Sequence, residues 1–357
     1  MSMNLYKMEL YKICYKRFFA AGVVCMIGIL LLSFQMQVLA EETNINGIAY
    51  RGYAAVRMDR EITEEFKGVI TEEKARRIIE KYGFPYRMEE DGALLNANFL
   101  NLFVSEYFRG GSFDIRETDI GRVMEMTGEE VYLAYYHGWY VFFNVLQVGM
   151  ILGSVLLLCS VSVVFSGERQ AGMRPLIFTT REGKRKDICA RYAAAFTVTG
   201  ALWLGIVGFS LTLCGFVYGL DGLKCYNGMV MNYLFAWPQR MIPMDAFAAL
   251  TLFFSFLGMN LLCAITLCLS AKCRSNFYTL VTAAIFWGTP VLAAGLLAGG
   301  RFDGIFRYLA AAPVFMVLYL TMEKIYDIWQ VVAGIAVAAA VFCVIDACRE
   351  YGRQETV

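Results

Sequence analysis

The nearest approach to a reactive sequence in this chain of 357 residues is Gly183-Lys184. A loop that cradles nucleotide phosphates needs a second glycine upstream, at the start of GxxxxGK, and Ser or Thr directly after the lysine, so that backbone N–H groups and a hydroxyl face the phosphates and magnesium. Here those positions are Phe178 and Arg185, so the chain is not expected to hydrolyse ATP. His137 is the single histidine. Neither a Ser-His triad nor a multi-histidine zinc site has enough to work with, and no HExxH or GxSxG occurs. Beside Gly138-Trp139, His137 reads as an interfacial residue. Cys263, Cys268 and Cys273 recur every five residues, a step of about 140° on a helix that scatters the thiols around it rather than gathering them on a metal. Of the eleven cysteines, none lies in the long polar stretch 41–138, so no disulfide framework is expected there. No catalytic residue, cofactor or metal is expected in this chain.

The elements around these residues are set by composition. With 58% hydrophobic and 15% aromatic residues the chain is far more apolar than a soluble domain. Six uncharged runs, 18–40, 139–166, 192–220, 246–271, 275–300 and 328–345, reach the roughly 30 Å of a hydrocarbon core at about 1.5 Å per residue, the last only just. None of them contains Asp, Glu, Lys, Arg or His, whereas proton- and ion-coupled carriers place ionisable groups at membrane depth, so secondary transport is disfavoured. Asn144, Gln147 and Asn260 are the polar side chains best placed to sit in the spans proper. Interhelical hydrogen bonding accounts for them, and a substrate path is the other use.

Between the second and third runs lies Phe165 to Arg191, with seven Lys/Arg against three acids. Such a connector faces the cytoplasm by the positive-inside rule. Pro175 suits the first turn of a new helix rather than the interior of one, and predicts a bend with Met173, Leu176, Ile177 and Phe178 grouped as a docking surface. Summed with 1–17, 271–275 and the tail from 346, the inner side carries fifteen basic and seven acidic residues, net +8, and the outer side is net −7. Both termini are therefore expected in the cytoplasm and 41–138 outside.

In this connector the chain resembles the ABC-2 type permeases, membrane subunits of ATP-driven transporters of Gram-positive type. The resemblance rests on Glu168-Arg169, Gly172, Leu176, Thr179-Thr180 and Gly183-Lys184-Arg185-Lys186, with Pro175 and Glu182 departing from the commoner form, and in span order it runs from about 139 to 347. It implies an ATPase-coupling role for Glu168, Arg169, Gly172, Leu176, Thr179, Thr180, Gly183, Lys184 and Arg185. It also implies a separate cytosolic ABC ATPase that holds the ATP and magnesium, pairing with itself or a similar permease in the cell membrane, and export. No nucleic-acid partner is expected.

The fold class expected is an all-α polytopic membrane protein with six transmembrane helices, a cytoplasmic coupling helix between the second and third, and a small mainly helical ectodomain between the first and second. Residues 1–40 form a cytoplasmic segment and first span, retained as a signal anchor or, alternatively, cleaved after Val38-Leu39-Ala40. Residues 41–138 form the ectodomain, and 139–357 the membrane domain with connector 166–190. In the ectodomain, Thr63 and Thr71 each precede two glutamates and predict helix caps, Gly83 a stop, a further helix is expected near 93–108, and a helix from Thr127 is expected to continue into the second span with Tyr132, Tyr135, Tyr136, Trp139 and Tyr140 at the headgroups. Spans four and five, joined by AKCRS, predict an antiparallel hairpin. Pro290 should kink or break the fifth span. The stretch 308–322 is read as re-entrant or interfacial. A second reading of function is a non-transporting membrane protein whose ectodomain senses a ligand or anchors an envelope partner.

Overall fold

The computed structural model describes residues 3–14, 17–87, 94–108, 113–115, 118–172, 185–231, 241–297, 311–318 and 325–353. In chain order the helices are α1 (Met3–Cys14), α2 (Arg17–Ala40), α3 (Tyr53–Phe66), α4 (Glu72–Tyr82), α5 (Phe99–Tyr107), α6 (Asp119–Thr127), α7 (His137–Val161), α8 (Val163–Gln170), α9 (Arg185–Val217), α10 (Asn227–Met231), α11 (Met244–Lys272), α12 (Asn276–Leu297), α13 (Pro313–Leu318) and α14 (Trp329–Arg353). The strands are short: β1 (Glu42–Ile45), β2 (Ile48–Arg51), β3 (Gly68–Val69), β4 (Tyr86–Arg87), β5 (Leu94–Leu95) and β6 (Tyr132–Leu133). Among the described residues six helical stretches are long and apolar enough to cross a membrane: Arg17–Ala40, His137–Gln170, Lys186–Val217, Met244–Lys272, Asn276–Ala293 and Tyr326–Tyr351. The chain is an all-α polytopic membrane protein.

Two compact units divide the described chain. One comprises Leu30–Val145 and Phe209–Ala249. Its helical core draws Val56, Ile62 and Phe66 from α3, Ile78 and Tyr82 from α4, Leu100, Phe103 and Val104 from α5, and Val123 from α6, all buried. Thr71 caps α4 by accepting from Lys74 N at 3.2 Å, and Gly83 ends it. Thr63, expected as a cap, lies inside α3 instead. Its hydroxyl turns back on the Asp59 carbonyl at 2.6 Å, because the apolar face of this helix begins earlier, at Ala55 and Val56. Asn98 and Asn101 cap α5 reciprocally, at 3.0 and 2.9 Å.

Strand content, which the sequence patterns do not predict, follows from turn chemistry. β1 and β2 pair antiparallel around Asn46-Gly47, both at positive φ (54° and 85°), a two-residue hairpin turn that this dipeptide favours. The expected helix from Thr127 into the second span does not form. Gly128 takes a left-handed conformation and closes α6, and the chain then pairs as β6 with β3 before α7 begins at His137. Tyr135, Tyr136 and Trp139 are consequently buried in protein rather than set among headgroups, with both tyrosine rings 4.9 Å from Phe99. At Gly138 the backbone passes so close to Gly219 that a Cβ would lie 2.2 Å from its carbonyl oxygen, so only glycine fits.

The other unit comprises Met1–Ile29, Leu146–Gly208 and Leu250–Val357. Its buried face uses Met150 and Leu157 of α7, Ala195, Val198 and Ile206 of α9, and Phe254, Leu262 and Leu267 of α11. Trp203 Nε1 donates to Ser255 Oγ at 2.9 Å. The fifth span is not broken at Pro290; α12 runs through it. The proline removes one donor, and next to it Thr289 gives its hydroxyl to the Ile285 carbonyl at 2.7 Å, keeping the neighbouring turn satisfied. Of the stretch 308–322 the described part is 311–318, in which α13 is wholly buried; the rest of that stretch lies outside the described residues. Gly258 receives α13: a Cβ there would sit 2.8 Å from Met316 Cβ.

Candidate functional site

The described residues nearest the connector form a buried cluster of charges around a disturbed turn of a helix. α7 ends at Val161 and α8 begins at Val163, but Ser162 between them keeps helical angles and bonds the Leu158 carbonyl at 3.0 Å, so the backbone runs on while the hydrogen-bond ladder is disturbed. The cause is a side chain from α11. Ser270 Oγ accepts from the backbone N–H groups of both Phe165 and Ser166 at 3.0 Å and donates to the Ser162 carbonyl at 2.7 Å, inserting a hydroxyl where intrahelical bonds would run. Ser166 Oγ also donates to Asn276 Oδ1 at 2.7 Å, tying α8 to the start of α12. The apolar run 139–166 predicts one straight span; the serines at 162, 166 and 270 are the signal for its interruption.

On α8, Glu168 and Arg169 point to different elements. Arg169 donates to the carbonyls of Lys272 and Cys273, at 2.9 and 3.1 Å, at the C-terminal end of α11, where the helix dipole favours a cation. Glu168 accepts from Lys12 Nζ of α1 at 3.0 Å and from Arg191 Nη2 of α9. Gly172 then takes φ 65°, the left-handed conformation in which the chain leaves α8. Of the sequence-predicted coupling residues, Glu168 thus joins α1 and α9, Arg169 joins the end of α11, and Gly172 ends α8. Leu176, Thr179, Thr180, Gly183 and Lys184, and with them the expected bend, lie outside the described residues, and Arg185 opens α9.

Arg191 is the centre of this cluster and is fully buried. Its Nη1 donates to the Val164 carbonyl at 2.9 Å, and its Nε lies 2.8 Å from Asp187 Oδ2, an ion-pair distance at which the N–H is not aimed for a hydrogen bond. The guanidinium stands 5.2 Å from the Phe165 ring and 5.8 Å from the Tyr351 ring of α14. Tyr351 Oη donates to Asp187 Oδ2 at 3.5 Å. On α1, buried Glu9 accepts from Lys12 Nζ at 2.5 Å. Desolvation lowers the pKa of Lys12, but the hydrogen bonds and charges of Glu9 and Glu168 outweigh it and raise it, so the ammonium stays charged. Sequence reasoning counts Arg191 only as topological charge and does not single out Glu9, Lys12, Asp187 or Tyr351. Asp187 and Arg191, at i,i+4 spacing on an otherwise apolar helix, are the available sign. These groups are paired with one another. Such an arrangement fixes α1, α8, α9 and α14 together.

The polar residues of the spans are dispersed. Asn144 Nδ2 donates to Gln37 Oε1 at 3.3 Å, and Asn260 Nδ2 donates to the Phe256 carbonyl of its own helix at 2.8 Å. Gln147 is half-buried. In the unit of Leu30–Val145 and Phe209–Ala249, Glu41 Oε1 lies 2.7 Å from His137 Nε2 and accepts from Tyr218 Oη at 3.2 Å, clasping the ends of α2, α7 and α9. Next in the same unit, Asp59 Oδ1 accepts from Thr43 Oγ1 at 2.7 Å and Phe99 N at 3.2 Å, while desolvation pushes its pKa up to about 6 against those bonds.

Fold and site define a class, the multi-pass helical membrane proteins, with a charge cluster rooted beside a basic connector. No protein-family model, curated protein or solved structure matches the chain.

Proposed function

We propose that this chain is the membrane-spanning permease subunit of an ATP-driven exporter of the ABC-2 type, coupled to a separate cytosolic ATPase through the connector 166–190. The observation that carries the reading is the way the connector begins. It leaves the membrane segment from α8, a short helix set off at Ser162 and held by Arg191 and Arg169 to α9 and α11. A push on residues beyond Gly172 is therefore delivered to those helix ends rather than lost in a free loop. ATP-driven closure of a pair of motor subunits would move α8 about Ser162 and shift the spans between inward- and outward-open arrangements, with no covalent chemistry in this chain. The charge asymmetry, net +8 against −7, favours both termini and the connector on the cytoplasmic side of a cell membrane, where an ATPase has access. Pairing with itself or a similar chain supplies the second half of the path.

The experiment is affinity purification of the full chain from its own membranes after cross-linking at Lys184→Cys, with the captured partner identified by mass spectrometry. An ATPase with a Walker motif attached through this position is the expected result. Efficient capture of envelope proteins through the ectodomain, with no ATPase, would favour the sensing or anchoring role instead.

A further inference from the structure

In the unit that contains the charge cluster, α11, α12, α13 and α14 surround a cavity of about 760 Å3. Its walls include Leu261, Ile265, Ile285, Phe286, Ala339 and Phe342. Two threonines also face it, but Thr282 and Thr289 donate their hydroxyls to the carbonyls of Tyr278 and Ile285 in their own helix, both at 2.7 Å. Cys343 adds only a thiol, a weak donor. Water needs two or more polar partners to be held in such a space, and the described residues of this wall do not provide them. The volume lies within the range of about 300–1,000 Å3 usual for ligand sites, but the few converging polar groups that orient a polar ligand are missing.

Position and opening restrict the occupant further. Leu261, Ile285 and Ala339 all fall in the interior of helices long and apolar enough to cross a membrane, away from the charged ends. The cavity is not sealed: Ile285, Phe286 and Phe342 on its wall are 63%, 51% and 67% exposed, so it opens sideways, at the depth of hydrocarbon. We propose that this cavity is a binding site for one acyl chain of a membrane phospholipid, entering between α12 and α14 at Ile285, Phe286 and Phe342. A flexible chain without polar groups matches a wall without free donors, and no competition with water arises because the mouth faces lipid. The inference needs only that these helices lie in a bilayer and stands apart from the transport reading.

The test uses the full chain reconstituted in vesicles that contain a phosphatidylcholine with a photoactivatable diazirine at the end of one acyl chain. After illumination, adducts are expected on Leu261, Ile265 and Ala338. Ala339→Phe, which fills the cavity, should lower them several-fold, whereas Val341→Phe, at an exposed position on the same helix, should leave them unchanged. Gel filtration and thermal unfolding establish that both variants are folded, and Ala338→Leu takes the place of Ala339→Phe if the larger side chain is not accepted. Adducts confined to exposed faces outside the cavity, or equal yields in the filled variant, would overturn the proposal. A cross-link between two copies through Ala339→Cys would overturn it as well, since a second chain would then occupy the space.

Discussion

Arg191 shows what a single side chain does in this molecule. It is the one cation among the described residues that touches α8, Asp187 of its own helix and the ring of Tyr351 at once, and it has no exposed surface. Replacing it with methionine keeps an unbranched apolar stem but removes the guanidinium, and leaves Asp187, 3% exposed, and Glu168 without their shared partner. Removing one member of a buried pair in this way costs roughly 3–5 kcal/mol, so Arg191→Met should lower the thermal unfolding midpoint in detergent by many degrees. Arg191→Lys should recover little of it, since an ammonium cannot reach three directions at fixed angles. Asp59 behaves in the opposite sense. Its folded pKa of about 6 stands above the ordinary 3.8, so above pH 6 the folded protein carries an ionised carboxylate at a desolvation cost, and between about pH 6 and 4 the folded state takes up a proton that the unfolded chain does not. Stability therefore rises through that window as pH falls, by no more than about 3 kcal/mol from this group. Asp59→Asn, which keeps an oxygen for Thr43 and Phe99, should unfold at a higher temperature than wild type at pH 8 and converge with it near pH 4. Parallel unfolding curves at all pH values would contradict the assignment.

At the level of elements, the interruption at Ser162 depends on Ser270. In Ser270→Ala the N–H groups of Phe165 and Ser166 lose their acceptor, and leaving a buried donor unmade costs about 1–3 kcal/mol. A measurable fall in unfolding midpoint is expected, against little change for Thr282→Ala, whose hydroxyl is exposed and bonded within its own helix. Equal effects would mean that the inserted hydroxyl does not hold the disturbed turn. Elements of this kind are the hardest to read from sequence. Spans are legible because length and apolarity alone define them, and α4 is legible because Thr71 and Gly83 act locally. The Asn46-Gly47 hairpin is equally local but is masked by the helical pattern that follows it. The stop at Gly128 is hidden because the aromatic residues after it fit an interfacial helix as well as a buried strand and loop. The charge cluster is not legible in the same way: Lys12 and Glu168 are 156 residues apart, Tyr351 and Asp187 164, and no local pattern links them. Glu168, Arg169 and Gly172 are singled out by resemblance, and in the structure Glu168 joins the charge cluster while Arg169 bonds the end of α11.

For the whole molecule, the proposed function joins a membrane protein of six spans to an external motor through one connector. Two demands fall on that connector, orientation and coupling, and they separate experimentally. Orientation depends on the seven basic residues between Phe165 and Arg191, whereas coupling needs an apolar contact of defined shape. Leu176→Asp leaves all seven in place. A carboxylate pressed into an apolar interface carries a desolvation cost on the order of several kcal/mol, enough to disrupt motor binding. The decisive measurement is co-purification of the partner ATPase with Leu176→Asp, together with the ATP hydrolysis that the permease stimulates, after labelling with an impermeant reagent at Glu350→Cys has established that the tail is still inside. Correct insertion with loss of the ATPase is the predicted result, with Lys184→Gln close to wild type. If Leu176→Asp inserts correctly and still binds and stimulates the ATPase as wild type does, the connector is a topological anchor and the coupling role is wrong.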